Sequence, residues 1–115
     1  MDQNYSTRQQ KIGRLVQKEM ADIFQKLTKE HFRGTMISVT AVRVTKDLGL
    51  ARCYLSVFPS DKGEGILKDL KQLNSQLRYE LGRRVGKQLR VIPELEYFID
   101  DSLDYIDNID NLLKK

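Results

Sequence analysis

At 115 residues, 40% hydrophobic and 31% charged, the chain has material for one core and too little for a second beside it. Its single cysteine excludes an internal disulfide, and no apolar run is long enough to cross a bilayer. The opening Met-Asp-Gln-Asn-Tyr lacks the basic and apolar segments of a secretory signal, so a cytoplasmic protein is expected.

A first helix is predicted over residues 6–28. Ser6 or Thr7 can cap its start, and Ile12, Val16, Met20, Ile23, Phe24 and Leu27 recur at helical spacing. Lys11, Arg14 and Lys18, three and four apart, share its polar side and are suited either to phosphate contact or simply to water. Residues 29–36, with His31 and Gly34, form a connector. Ile37 and Val39 then alternate with polar residues, but the apolar parity switches to Val42 and Val44, which predicts a strand bent by a bulge near Thr40 and Ala41. Lys46-Asp47-Leu48-Gly49 is a turn: Asp47 can bond nearby backbone, Gly49 can take positive φ, and Lys46 offers a cation. The partner strand, residues 50–58, turns Ala51, Cys53, Leu55 and Val57 to one side.

Residues 59–65 read as a loop. From 66 to 85, Ile66, Leu67, Leu70, Leu73, Leu77 and Leu81 form one stripe, which is a long helix or two abutting ones, with Asn74-Ser75 marking a bend where the second would begin. Beyond it, residues 89–99 are extended, and Pro93 implies a strand beginning or a sheet edge. A last helix over 102–113 sets Tyr105, Ile106, Ile109, Leu112 and Leu113 opposite Asp104, Asp107 and Asp110. The elements together describe an α+β domain spanning residues 1–115.

The net charge of +4 is unevenly distributed. Between residues 68 and 93 seven Lys and Arg meet two Asp and Glu, whereas residues 94–115 carry two against seven. Lys68, Lys71, Arg78, Arg83, Arg84, Lys87 and Arg90 repel one another unless an anionic partner or counterions compensate, and nucleic acid is the leading explanation. Tyr79, on the polar side of the same helix, can stack on an unpaired base or cover the domain surface. Arg84 falls at the edge of the apolar stripe, so either its stem lies along the core or the helix bends.

Catalytic chemistry is hard to assemble from this set. Cys53 alternates with core residues, and the sole histidine, His31, sits in a separate connector, which argues against a thiol nucleophile and against zinc. Asp100, Asp101, Asp104, Asp107 and Asp110 do not have the spacing of a calcium loop. They suit a solvated helix face, also able to meet the molecule's own basic surface. No enzyme activity, cofactor or metal is expected.

The element order helix, strand, strand, bent helix, strand is that of a type II KH domain, without the usual Gly-x-x-Gly clamp. The hairpin Val44-Thr45-Lys46-Asp47-Leu48-Gly49-Leu50-Ala51-Arg52-Cys53-Tyr54-Leu55-Ser56, then Leu77-Arg78, Leu81-Gly82-Arg83 and the block from Leu89 to Ser102, resemble the ribosome-binding factor A family over residues 6–113. The resemblance implies a three-stranded KH-like sheet with a C-terminal helix. It also implies a non-enzymatic, monomeric factor that binds the immature small ribosomal subunit and the 16S rRNA precursor, assists late rRNA processing, and leaves before translation. Arg78, Arg83 and Arg90 fit the family's pattern best, Leu73-Asn74-Ser75 stands where the family usually has Ala-x-Gly, and Lys87 is nominated by charge alone. On this view, reversing Arg78, Arg83 and Arg84 to Glu abolishes binding and spares the fold. The competing expectation is a protein-interaction module whose acidic last helix docks a basic partner.

Overall fold

The computed structural model describes residues 5–100. The helix expected over 102–113, with its acidic face, lies outside the described residues.

Helix α1 (Thr7–Glu30) begins at a capping box: the Gln9 amide donates to Ser6 Oγ at 3.1 Å, and the Ser6 amide donates to Gln9 Oε1 at 2.8 Å. Its apolar stripe is buried, and the helix continues two residues beyond its predicted end, to Glu30. Strand β1 (Met36–Val44) pairs antiparallel with β2 (Leu50–Phe58), and the register slips between Val39 and Ala41, which is the bulge that the parity switch predicted. Helix α1 closes tightly on β1. A Cβ at Gly13 would stand 3.1 Å from the Val42 carbonyl oxygen, and the side-chain amides of Gln9 and Gln17 donate to the Val44 and Val39 carbonyls at 2.8 and 3.1 Å. These bonds satisfy carbonyls that an edge strand would otherwise leave to water.

The hairpin turn corrects one expectation. Leu48 takes the left-handed backbone, with φ of 64°, and Gly49 does not. The Asp47 carboxylate accepts from the Thr45 hydroxyl at 2.7 Å and the Gly49 amide at 3.0 Å, while the Leu48 amide donates to the Thr45 carbonyl. These bonds fix Leu48 in a conformation that costs a non-glycine residue energy. Gly49 serves closeness instead, since a Cβ there would lie 3.3 Å from the Asp47 carboxylate.

The loop predicted over 59–65 is mostly helical. A short 3-10 turn, Ser60–Lys62, leads straight into α2 (Gly63–Gln72), because Gly63 is buried close to Ile99. Helix α3 (Asn74–Val85) follows after Leu73, so the apolar stripe belongs to two abutting helices. Strand β3 (Glu94–Ile99) starts directly after the buried Pro93 and runs parallel to β2, giving the order β1-β2-β3 with β3 at an edge. Val16, Met20 and Phe24 of α1, Leu70 of α2, and Leu81 and Val85 of α3 meet Ala51, Cys53 and Leu55 of the central strand in one core. The helices cover one face of the sheet, while Arg52, Phe58, Glu96 and Phe98 are exposed on the other.

Candidate nucleic-acid interface

Two neighbouring arginines on α3 have opposite surroundings. Arg84 faces α1. Its Nη1 donates to Asp22 Oδ2 at 2.6 Å and to Glu19 Oε1 at 3.3 Å, its Nε donates to Glu80 Oε2 at 3.2 Å, and its side chain is 18% exposed. The hydrogen bond from Arg84 holds the Asp22 carboxyl below its ordinary range, and the same bond raises the guanidinium's pKa. Both alternatives raised by the stripe geometry hold: the helix breaks at Leu73, and the Arg84 stem is half-buried. Three carboxylates thus stand within ion-pair distance of Arg84, and its charge is compensated inside the fold, which the count of basic residues did not register.

The other side of α3 opens on a groove of about 710 Å³ between the helix and the chain entering β3. Arg78, Tyr79 and Arg83 come together there, with Asn74 and Ser75 at one end and Ile92 on the far wall. Gly82 keeps the groove open, since a Cβ there would already be in contact with Ile92. Arg78 builds the wall: Nη2 donates to the Ile92 carbonyl at 2.7 Å, Nε to the Pro93 carbonyl at 3.2 Å, and Nη1 lies 3.4 Å from Glu94 Oε1. Such forked donation is a property of the planar guanidinium. Among the described residues Arg83 pairs only with Glu80, at 3.3 Å across a partly exposed contact of a kind that holds a side chain weakly. Tyr79 is 71% exposed, with its ring available for stacking.

The groove continues past Lys71 and Asn74 along β3, where a smaller depression of about 190 Å³ is lined by Leu95, Glu96 and Phe98. The Tyr97 hydroxyl donates to Asn74 Oδ1 at 3.1 Å and so ties the head of α3 to the strand. Because the Glu94 and Asp100 amides donate to the Gly49 and Leu55 carbonyls, strand alternation turns the amides of Leu95, Tyr97 and Ile99 toward the free edge. Glutamines cover the edge of β1; among the described residues no strand pairs with the edge of β3.

The remaining cations are dispersed. Lys68 on α2, Lys87 and Arg90 in the segment 86–93, and Lys46 at the hairpin tip are exposed, and none of them lines this groove. Lys11, Arg14 and Lys18 occupy the solvent side of α1, where Arg14 borders Val42 and Arg43 of β1, across the sheet from β3. The two basic stretches therefore do not merge into one surface. Sequence reasoning missed Asn74, Ser75, Ile92 and Glu94 as groove residues. The helix break at Asn74-Ser75 was a usable signal for the first two, and nothing local marked the others.

Cys53 is fully buried, and burial pushes its thiol up to about 12. His31 caps the end of α1 at the surface, 4.0 Å from a Glu30 carboxylate oxygen. Among the described residues no cluster of three or more His, Cys, Asp or Glu side chains is placed to hold a metal ion, and no helix is long and apolar enough to cross a membrane.

The family model for ribosome-binding factor A matches residues 8–113. A ribosome-binding factor A from Christiangramia forsetii is 46% identical over 110 residues, covering 95% of this chain and 84% of the relative. The crystal structure of ribosome-binding factor A from Thermus thermophilus superposes with a TM-score of 0.66 at 27% identity, over 79% of this chain and 94% of that one. A homology model of the Thermus thermophilus factor, fitted into a cryo-EM map of a 30S-RbfA complex, gives a TM-score of 0.63 at 30% identity, over 76% of this chain and 89% of that one.

Proposed function

The chain belongs to the ribosome-binding factor A family, with its α+β, KH-like fold, and from that premise we propose that it is a non-catalytic assembly factor of the small ribosomal subunit. It acts as a monomeric RNA-binding domain in the cytoplasm, binds the immature particle and its 16S rRNA precursor, and assists late rRNA maturation. One observation carries the site assignment: Arg83 and the exposed ring of Tyr79 flank a groove whose opposite wall is the chain entering β3 at Ile92, and a second depression beside Asn74 extends it along β3. In the KH-like setting this supplies what an unpaired strand needs without a Gly-x-x-Gly clamp. Cations meet the phosphates, an aromatic face stacks on a base, and main-chain groups meet base edges.

In this proposal Arg78, Tyr79, Arg83 and Lys71 line the primary contact, and Lys68 and Lys87 attract flanking phosphates. Lys11, Arg14 and Lys18 meet a separate stretch of the particle, since α1 lies toward the opposite edge of the sheet. Shape and charge supply most of the affinity, so log affinity falls by about 0.7 per phosphate contact for each tenfold rise in salt on single strands. The Tyr79→Ala/Arg83→Glu variant should lose co-sedimentation with small-subunit precursors while keeping its thermal unfolding midpoint. Unchanged co-sedimentation rejects the site. Retention that survives nuclease digestion rejects RNA as the partner.

A further inference from the structure

The helix-covered side of the sheet has a second concave site, away from the α3 groove and behind the segment 86–93 that walls it. It encloses about 310 Å³ where the first turn of α1, the tip of the β1-β2 hairpin and the segment 86–93 converge. Its floor is aliphatic, formed by Ile12, Leu48 and Leu89, and Val91 stands 67% exposed at its rim. Two guanidinium groups border it, Arg8 from α1 and Arg90 from the segment 86–93.

Neither guanidinium of the site, Arg8 or Arg90, has a carboxylate within ion-pair distance among the described residues, whereas Arg84, Arg78, Arg83 and Arg52 do. The one acid in the lining, Asp47, has its carboxylate occupied by the Thr45 hydroxyl and the Gly49 amide. That same bonding holds Leu48 at φ of 64° and so keeps the aliphatic floor in place. An apolar floor ringed by uncompensated cations calls for a ligand with a flat apolar face and anionic flanks, which describes an unpaired nucleotide with its phosphates.

We propose that this hairpin-pole site binds a second single-stranded RNA segment. The inference rests on the RNA-binding role proposed above and extends it, since two sites on either side of the segment 86–93 let one molecule hold two RNA strands together. Arg8, which charge counting did not single out, and Arg90 grip the phosphates; Leu48 and Val91 support the base.

The test counts bound strands by native mass spectrometry, using the full chain and uridine-rich oligonucleotides of about ten nucleotides, within the usual span of single-strand sites. The parent protein should bind two strands, Arg8→Glu/Arg90→Glu one, and Tyr79→Ala/Arg83→Glu one. The milder Arg8→Gln/Arg90→Gln variant should flatten the salt dependence of log affinity by about 1.4, which is two contacts at about 0.7 each. Circular dichroism should show both pole variants folded, because both arginines are exposed.

Saturation of the parent at one strand, with no change of salt slope in the glutamine variant, overturns the second site and leaves the α3 groove standing. A parent that binds no strand fails the proposed function itself. If the pole variants keep two strands but lose a nuclease-resistant attachment to the particle, the occupant is a polypeptide and the RNA assignment falls.

Discussion

The two sides of α3 use the same residue type to opposite ends. Toward α1, Arg84 is surrounded by Glu19, Asp22 and Glu80, so its charge is spent holding helices together. Toward β3, Arg83 and Tyr79 are left largely to solvent beside a groove that nothing in the described chain fills. Adjacent positions in the sequence, Arg83 and Arg84, thus divide between a charge left largely to solvent and one compensated inside the fold. A count of basic residues measures the two together and separates neither.

Breaking the closed side should produce the largest effect on stability. Arg84→Glu places a fourth carboxylate among three partly exposed ones, and losing the cation that joins them should cost about 2 kcal/mol. A fall of that size in urea-derived stability is expected, with RNA affinity unchanged where the variant is still folded. Breaking the open side should do the reverse. Tyr79→Ala/Arg83→Glu should weaken RNA binding by about 2 kcal/mol, roughly thirtyfold, measured by fluorescence anisotropy at fixed salt, with stability within about 0.5 kcal/mol of the parent.

Arg78 lies between these extremes and sharpens the contrast. It forms the groove wall and also donates to two backbone carbonyls, so Arg78→Ala should lower stability by about 1.5 kcal/mol and weaken binding as well. Arg78→Lys should restore little of either, because a point charge cannot reproduce the fork.

The smallest effect is the pH dependence of the closed side. Asp22 has a folded-state pKa below its ordinary value of 3.8. Its contribution is therefore complete above the unfolded-state value and is lost as pH falls through the lower folded one. Asp22→Asn should reduce the acid-side slope of the urea midpoint between about pH 5 and pH 2. An unchanged slope would mean that Arg84 draws its stabilisation from Glu19 and Glu80 alone.

Much of the fold was legible because it depends on short-range patterns. The cap at Ser6, the parity switch at Thr40 and the alternation through Cys53 each follow from residues within a few positions of one another. Where expectation and structure part, specific contacts that propensity and periodicity do not register are responsible. The loop expected at 59–65 becomes helical where Gly63 meets Ile99, and the turn places Leu48 rather than Gly49 at positive φ because Asp47 bonds on both sides of it.

The candidate site shows the same division. Tyr79 and Arg83 could be nominated from their place on the polar side of a helix. That Ile92 and Glu94 complete their groove, that Arg8 and Arg90 meet at the hairpin tip, and that Arg84 is matched by acids more than sixty positions earlier could not be. Sequence alone determined which elements form and that cations are in excess, since propensity, periodicity and charge count are local or additive. Only the tertiary structure decided which cations are neutralised, because ion pairing depends on separations of a few ångströms between residues far apart in the chain.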